Sequence, residues 1–258
     1  MDLDALIAEL EREAETRGPA PRIVRYGTDS QQFAEFRYPV AAGTPPPVAV
    51  LLHGGFWRAP YTLTLMGALA ADLAAHGWAS WNVEYRRGGS GGGVPETLDD
   101  TAAAIAALIA LEAPIDRSSL TVIGHSAGGQ LALWAAGLPS VRHIISLAGV
   151  CDLYAAEREG IGSGAAVEFL GGTSKQRPQQ YAAADPLSRL PVDARLLLVH
   201  GDADDRVPVQ QSRSYQCAAG ENCELLELAG VGHFELIDPR TEAWAQIRSR
   251  LVATPTSA

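Results

Sequence analysis

The chain has 258 residues, 47% of them hydrophobic, and a formal net charge of −10 at pH 7. This length and apolar content suit a single domain with a large buried core. The negative charge argues against nucleic acids and anionic membrane surfaces as partners, because their phosphates would be repelled, and no stretch is apolar for long enough to span a bilayer. A small molecule is therefore the expected partner.

The N-terminus carries Asp2 and Asp4 and lacks a basic segment followed by an apolar one, so it does not have the form of a secretory signal. The three cysteines, Cys151, Cys217 and Cys223, are an odd and sparse set for a disulfide framework. We therefore expect a reduced, cytoplasmic protein.

Apolar runs alternate with helical patterns along the chain. Residues 1–17 have the leucine spacing of an amphipathic helix. Apolar runs predict strands at 48–52, 79–83, 120–123, 144–147, 196–199 and 225–228, and helical spacing predicts helices near 63–75, 98–112, 127–137, 208–219 and 241–252. This alternation predicts a parallel sheet covered by helices on both faces. In such sheets active sites lie at the carboxyl ends of the strands.

A serine lies between two glycines at the end of one predicted strand. Residues 120–129 are Leu-Thr-Val-Ile-Gly-His-Ser-Ala-Gly-Gly, with Ser126 flanked by Gly124 and Gly128. This is the sequence form of a nucleophile elbow, a strand-to-helix turn so tight that larger residues at the glycine positions would collide with the main chain. The following helix, beginning at Ala127, directs its first amide groups to the same point. Ser126 is therefore the candidate nucleophile.

A catalytic serine needs a base within hydrogen-bond reach and a carboxylate that orients the base. His233, in the glycine-flanked loop after the last predicted strand, has the position in chain order that this fold gives its base. The other five histidines have other expected roles: bracing turns (His53, His200), structural or solvated at element ends (His76, His143), and adjoining the serine while pointing away from it (His125).

Three carboxylates follow the 196–199 strand, at Asp202, Asp204 and Asp205. The spacing His-Gly-x-x-Asp-x-x-Val-Pro over residues 200–208 favours Asp204 as the acid, with the other two facing the turn or solvent. Asp205 remains the alternative acid.

The segment His-Gly-Gly-Phe-Trp at 53–57 follows another strand end. Adjacent glycines let the main chain approach a substrate closely, and backbone amides there can stabilise an oxyanion by about 3 kcal/mol per donor. The predicted donors are the amides of Gly55, Phe56 and Ala127. Phe56, Trp57 and His125 are the candidate residues of the substrate pocket.

Together these segments resemble the α/β-hydrolases over nearly the whole chain. The His-Gly-Gly-Phe-Trp loop, with Val-Glu-Tyr-Arg-Arg at 83–87 and Asp-Pro-Leu-Ser at 185–188, is similar to the kynurenine formamidases (arylformamidases) and their esterase relatives. The resemblance implies a mostly parallel sheet of about eight strands flanked by helices, and one α/β-hydrolase domain over residues 1–258. Residues 153–190 are then a small cap or lid insertion within it.

The resemblance also implies acyl transfer to water through a Ser126–His233–Asp204 triad, without a metal ion or organic cofactor. An arylformamidase acting on N-formylkynurenine-like substrates is the first expectation, because the loop has Phe56 where many esterases have a third glycine. A carboxylesterase acting on small acyl esters is the alternative. A hydrolase-fold binding protein without turnover is a more remote one.

Overall fold

The structure, a computed structural model, describes residues 3–40 and 45–251. Its centre is an eight-stranded sheet in the order β1-β2-β4-β3-β5-β6-β7-β8. Strands β3 to β8 run parallel, whereas β1 and β2 are antiparallel to their neighbours. The sequence prediction of an α/β-hydrolase fold with about eight strands is confirmed.

The strands of this sheet are β1 (Arg22–Arg25), β2 (Phe33–Arg37), β3 (Pro47–Leu52), β4 (Ala79–Val83), β5 (Asp116–His125), β6 (His143–Leu147), β7 (Arg195–Gly201) and β8 (Cys223–Leu228). The described helices are α1 (Leu3–Thr16), α2 (Gly67–Ala75), α3 (Glu96–Ala110), α4 (Ala127–Ala135), α5 (Leu153–Glu159), α6 (Ala165–Leu170), α7 (Pro178–Ala184), α8 (Gln210–Ala219) and α9 (Glu242–Leu251). Short 3-10 turns at Leu63–Met66, Leu187–Arg189, Gly220–Asn222 and Glu235–Ile237 complete the elements.

The central strands are mainly apolar because both faces of the sheet are covered. In β3, Val48 and Val50 pack into the core on one face, and Ala49 and Leu51 pack into the core on the other. Helices α3, α4 and α8 contribute to the first core, and α1, α2 and α9 to the second. Side chains alternate between the faces of a strand, so a strand buried on both sides needs a continuous apolar run.

A buried carboxylate joins three of the helices. Asp72 on α2 binds Arg17 after α1 (3.2 Å), and Trp244 Nε1 (2.7 Å) and Arg248 Nη1 (2.8 Å) on α9. Because a buried charge is costly unless it is paired and hydrogen-bonded, this cluster fixes how the three helices meet.

The structure differs from the sequence prediction mainly at the edges. Strands β1 and β2 were not predicted, and β5 begins at Asp116 rather than at Leu120. These segments are short or polar at the sheet's periphery, where no continuous apolar run is needed. Positions 1, 2 and 252, which the predicted terminal helices included, lie outside the described residues.

Residues 153–190 contain three short helices, α5 to α7, between β6 and β7. Asp185 fixes the two ends of this insertion, since its Oδ1 accepts from the amide of Leu153 (2.8 Å) and its Oδ2 from the amide of Ser188 (2.8 Å). Elsewhere in the described ranges the longest helix, α3, has 15 residues, and none of the described helices has the length and hydropathy of a membrane span.

Candidate active site

Ser126 occupies a strained turn between β5 and α4. Its backbone has φ 56° and ψ −117°, a conformation that non-glycine residues rarely adopt. The turn is held because the Ser126 amide donates to Leu147 O (2.8 Å) and its carbonyl accepts from Gly129 N (2.9 Å). Such strain is expected of a nucleophile elbow, which projects the side chain above the carboxyl edge of the sheet.

The glycines around Ser126 are required by close main-chain contacts. A Cβ at Gly124 would lie 1.9 Å from Gly128 O, and one at Gly128 would lie 2.1 Å from Leu52 O. Both contacts are with backbone atoms, which cannot move aside as a flexible side chain could. The elbow therefore needs glycine at both positions, for the reason that the sequence suggested.

Asp204 and His233 come together at the ends of β7 and β8. Oδ2 of Asp204 accepts a 2.7 Å hydrogen bond from Nδ1 of His233. With the proton on Nδ1, the other ring nitrogen of a neutral imidazole can act as a base. Ser126 and His233 line the same cavity. Ser126 Oγ has no hydrogen-bond partner among the described residues, and such contacts often tighten only when substrate binds.

Asp204 is an ionised and fixed carboxylate. Burial raises the pKa of Asp204, but hydrogen bonds from His200 and His233 outweigh this effect and bring that pKa well below its usual range. Its Oδ1 also accepts from the amides of Arg206 (2.8 Å) and Val207 (2.9 Å). The neighbouring Asp205 side chain is 76% exposed and pairs with Arg206. The geometry therefore favours Asp204 over Asp205 as the partner of the base.

Two other histidines brace the surrounding turns. His200 is buried and contacts Ser212 Oγ (2.7 Å) and Val207 O (2.9 Å). His125 is also buried, and its Nε2 donates to the carbonyl of His233 (3.0 Å). Burial and the nearby His233 ring lower the pKa of His125 well below its ordinary value, so His125 is neutral. Its ring lies 4.5 Å from that of His233 and lines the cavity.

The segment after β3, residues 53–57, forms a left-handed turn beside the serine, here called the oxyanion loop. Gly55, Phe56 and Trp57 have φ values of 108°, 53° and 54° in succession, and Arg58 N closes the turn on Gly55 O (3.0 Å). A Cβ at Gly54 would lie 3.0 Å from Ser126 Cβ, so the loop runs directly against the elbow. Within the described residues, the amides of Gly55, Phe56 and Ala127 have no acceptor, which leaves them available to a ligand.

The cavity around Ser126 is small, with a volume of about 40 Å³. It is lined by Gly55, Phe56, Tyr61, Leu65, His125, Ser126, Arg206, His233 and Phe234. Phe56 and His125 thus line it, as the sequence suggested, but Trp57 does not. Trp57 is 2% exposed, its ring stacks on Phe169 at 4.6 Å, and its Nε1 donates to Gln130 (3.0 Å). The placement of Trp57 in the substrate pocket is corrected accordingly, since Trp57 belongs to the core behind the loop.

The insertion 153–190 packs on the oxyanion loop. A Cβ at Gly162 would lie 2.4 Å from the Phe56 ring, and Arg58 forms a 2.7 Å ion pair with Glu168. Together with the stacking of Trp57 on Phe169, these contacts hold the oxyanion loop against residues 153–190.

Sequence reasoning gave no role to Tyr61, Leu65, Arg206 or Phe234, which complete the cavity wall. Arg206 and Phe234 lie close in sequence to the predicted acid and base, so their positions in the chain could have identified them as residues of the cavity wall. Tyr61 lies in an irregular segment after the oxyanion loop, and Leu65 lies in the 3-10 turn at the start of the predicted helix near 63–75. The sequence does not indicate that either side chain faces Ser126. Among the described residues, no three His, Cys, Asp or Glu side chains are grouped as metal ligands.

Comparisons with known proteins identify relatives of this chain. Esterase LipC of Mycobacterium tuberculosis is 30% identical over 243 residues, which is 84% of this chain. The chain spans only 60% of the length of that relative.

Solved structures show the same fold. A truncated carbohydrate esterase from gut microbiota superposes with a TM-score of 0.79 at 20% identity, covering 92% of this chain and 96% of that one. A thermophilic esterase of Thermogutta terrifontis superposes with a TM-score of 0.73 at 20% identity, covering 93% and 96%. The model of the prolyl oligopeptidase family matches residues 56–248, which include the candidate nucleophile, acid and base. The chain therefore belongs to the prolyl oligopeptidase family, within the α/β-hydrolase superfamily.

Proposed function

We propose that the protein is a serine hydrolase that cleaves small carboxylic esters through an acyl-enzyme on Ser126. The observation that carries this proposal is the 2.7 Å hydrogen bond between Asp204 and His233, with His233 and Ser126 on one cavity. A nucleophile, a base and an ionised acid are the groups that acyl transfer requires.

In the proposed reaction, His233 Nε2 removes the Ser126 hydroxyl proton as Oγ attacks the ester carbonyl. The resulting oxyanion accepts hydrogen bonds from the amides of Gly55, Phe56 and Ala127. Asp204 stabilises the imidazolium of His233, which then gives its proton to the departing alkoxide. Water, deprotonated by His233, attacks the acyl-serine. As the second tetrahedral intermediate collapses, the C–Oγ bond breaks, the imidazolium returns its proton to Ser126 Oγ, and the carboxylic acid is released.

The cavity supports a small substrate. Its volume of about 40 Å³ is far below the usual range for sites that enclose a whole ligand, so it has room only for a small acyl group next to Ser126. Much of its wall is apolar or aromatic. The relative at 30% identity is named an esterase, which supports ester over amide substrates.

An arylformamidase is the second candidate. The observation in its favour is the His-Gly-Gly-Phe-Trp loop with Phe56 at the cavity wall. A formyl group needs little room on the acyl side, and the same nucleophile, base and oxyanion donors would act on a formamide carbonyl.

The test is to label the protein with a fluorophosphonate and to compare kcat/KM for p-nitrophenyl acetate and N-formylkynurenine. We expect an adduct on Ser126 and a higher kcat/KM for the ester, whereas a preference for the formamide would select the arylformamidase. Ser126→Ala should abolish labelling and turnover while circular dichroism remains that of the wild type. If the wild type is not labelled, both enzyme proposals fail and a hydrolase-fold binding protein without turnover remains as the interpretation.

A further inference from the structure

The first residue of the oxyanion loop contacts a buried carboxylate at the end of the neighbouring strand β4. Glu84 follows β4 directly, lies next to the end of β3 in the sheet, and is 4% exposed. Its carboxylate reaches His53, the first residue of the oxyanion loop, with Oε1 lying 3.1 Å from His53 Nε2.

The Glu84 carboxylate also accepts hydrogen bonds from three other donors, two backbone amides and one guanidinium. Oε2 accepts from the amide of Leu63 (3.1 Å), and Oε1 accepts from the amide of Tyr85 (3.0 Å) and from the guanidinium of Arg87. Arg87 is buried as well, and burial lowers its pKa to about 10, which leaves it charged at neutral pH. The pair is therefore a buried salt bridge with additional hydrogen bonds, the arrangement in which removal of one partner is costly.

Further contacts tie His53 to this cluster. The His53 ring stacks on Tyr85 with centroids 4.3 Å apart, and Tyr85 Oη donates to the carbonyl of His53 (2.7 Å). His53 Nδ1 lies 2.7 Å from the carbonyl of Gly54, which is the residue packed against Ser126. Burial lowers the pKa of His53 to about 3, so its ring is neutral and its one N–H donates to only one of Glu84 Oε1 and Gly54 O. Close contacts nevertheless connect the Glu84 carboxylate, the His53 ring and the backbone of the oxyanion loop.

The loop needs such support because its own conformation is unfavourable. Phe56 and Trp57 both have positive φ, and each non-glycine residue in that region costs about 1 kcal/mol or more. Surrounding contacts must hold such a turn for its amides to stay aimed at one point. Oxyanion donors act when they lie about 2.7–3.1 Å from the position of the developing oxyanion, so the loop backbone must be held in place.

We propose that Glu84, paired with Arg87, is a positioning residue that fixes the oxyanion loop for catalysis. The proposal rests on the proposed serine hydrolase function. It assigns to Glu84 an effect on the transition state, exerted through His53, that goes beyond its contribution to stability.

The experiment compares Glu84→Gln with Asp100→Asn. Asp100 is the matched control because its side chain is also buried and paired with an arginine, Arg86 at 2.7 Å, yet it makes no contact with the oxyanion loop. In Glu84→Gln, one amide oxygen replaces two carboxylate oxygens, so the donors at Leu63, Tyr85 and Arg87 cannot all be satisfied.

For Glu84→Gln we expect kcat for p-nitrophenyl acetate to fall by about 10- to 100-fold, with KM changed less than about threefold, since the effect lies in the transition state. Affinity for a trifluoromethyl ketone, which forms an oxyanion on Ser126, should fall in parallel with kcat. Asp100→Asn should lower the melting temperature but leave both readouts within about threefold of the wild type.

A double variant, Glu84→Gln with Arg87→Met, covers the case in which the single variant does not fold, because it removes the uncompensated buried charge. We expect it to recover stability but not kcat. Wild-type kcat and ketone affinity in either folded variant would overturn the proposal. Wild-type protein without any turnover would instead overturn the proposed function, so the two failures are distinct.

Discussion

Asp204 and His233 are 29 positions apart in the chain, yet the carboxylate of one and Nδ1 of the other form a 2.7 Å hydrogen bond at adjacent strand ends. The remaining oxygen of Asp204 is occupied by the amides of Arg206 and Val207. This carboxylate therefore has a fixed orientation before any substrate arrives.

Substitution of the two neighbouring aspartates should have very different results. Asp204→Asn should lower kcat for p-nitrophenyl acetate by about 10³- to 10⁴-fold, because an amide cannot stabilise the imidazolium or hold the required tautomer. Asp205→Asn should change kcat by less than about twofold, since the Asp205 side chain is 76% exposed. Steady-state kinetics of both variants make the comparison, and a larger loss for Asp205→Asn would reassign the acid.

His125 should make stability depend on pH. Its pKa is well below the ordinary value in the folded protein, so between about pH 6.5 and that lower pKa only the unfolded chain binds the proton. The free energy of unfolding then falls as pH falls, by up to about 1.4 kcal/mol per pH unit for this one group. His125→Asn lacks this dependence and should lose about 2 kcal/mol less than the wild type between pH 7.5 and 5.0. Urea unfolding at the two pH values measures it, and equal losses in the two proteins would contradict the assignment.

The elbow should not tolerate a methyl group at Gly128. Gly128→Ala places a Cβ 2.1 Å from Leu52 O, so the turn must shift, and we expect loss of fluorophosphonate labelling with a marked drop in melting temperature. Gly67→Ala is the control, because Gly67 has helical φ and ψ of −59° and −42° and its Cβ would meet only Ala14 Cβ at 3.3 Å. That variant should keep wild-type fluorophosphonate labelling, because only Ala14 must shift, by a few tenths of an ångström, and Ala14 does not line the cavity.

Gly162 should influence which acyl chains the cavity accepts. A Cβ there would press on the Phe56 ring at 2.4 Å and push it toward the cavity. Gly162→Ala should therefore lower kcat/KM for p-nitrophenyl butyrate more than for p-nitrophenyl acetate. We expect the ratio of the butyrate value to the acetate value to fall by at least about fivefold.

Gly160→Ala provides the matched control for that experiment. Gly160 has a similar φ of 67° but no atom within 4 Å of its Cβ position, so only the backbone cost of about 1 kcal/mol applies. In Gly160→Ala, the ratio of kcat/KM for p-nitrophenyl butyrate to kcat/KM for p-nitrophenyl acetate should equal that of the wild type. An equal ratio in Gly162→Ala as well would show that the Phe56 ring does not bound the acyl site.

The central sheet could be predicted because burial on both faces imposes a continuous apolar run on each parallel strand, as in β3 and β7. Strands β1 and β2 were not predicted, since Arg22–Arg25 and Phe33–Arg37 are short and interrupted by charged residues. The elbow at Ser126 could be predicted because the Gly-x-Ser-x-Gly pattern is itself a short segment of sequence, although the backbone that Gly128 approaches, at Leu52, is distant in the chain.

Features that depend on contacts between residues far apart in the sequence could not be predicted. Trp57 could be assigned either to the pocket or to the core until its stacking partner Phe169, more than a hundred residues away, was placed. The contact between Glu84 and His53 likewise depends on β4 lying beside β3, which the order of the strands in the chain does not specify.

The face-to-face stack of Trp57 on Phe169 gives the protein an internal optical reporter. Any separation of the insertion from the sheet would bring water to the Trp57 indole and shift its emission to longer wavelength. Trp134 contacts the same segment, because its Nε1 donates to Ala183 O (3.0 Å), and its emission would change together with that of Trp57. Trp81 and Trp244, fully buried in the two cores, and Trp78, packed against the second core, would keep their emission unchanged. Fluorescence recorded during turnover can therefore follow the movement of one segment without a chemical label.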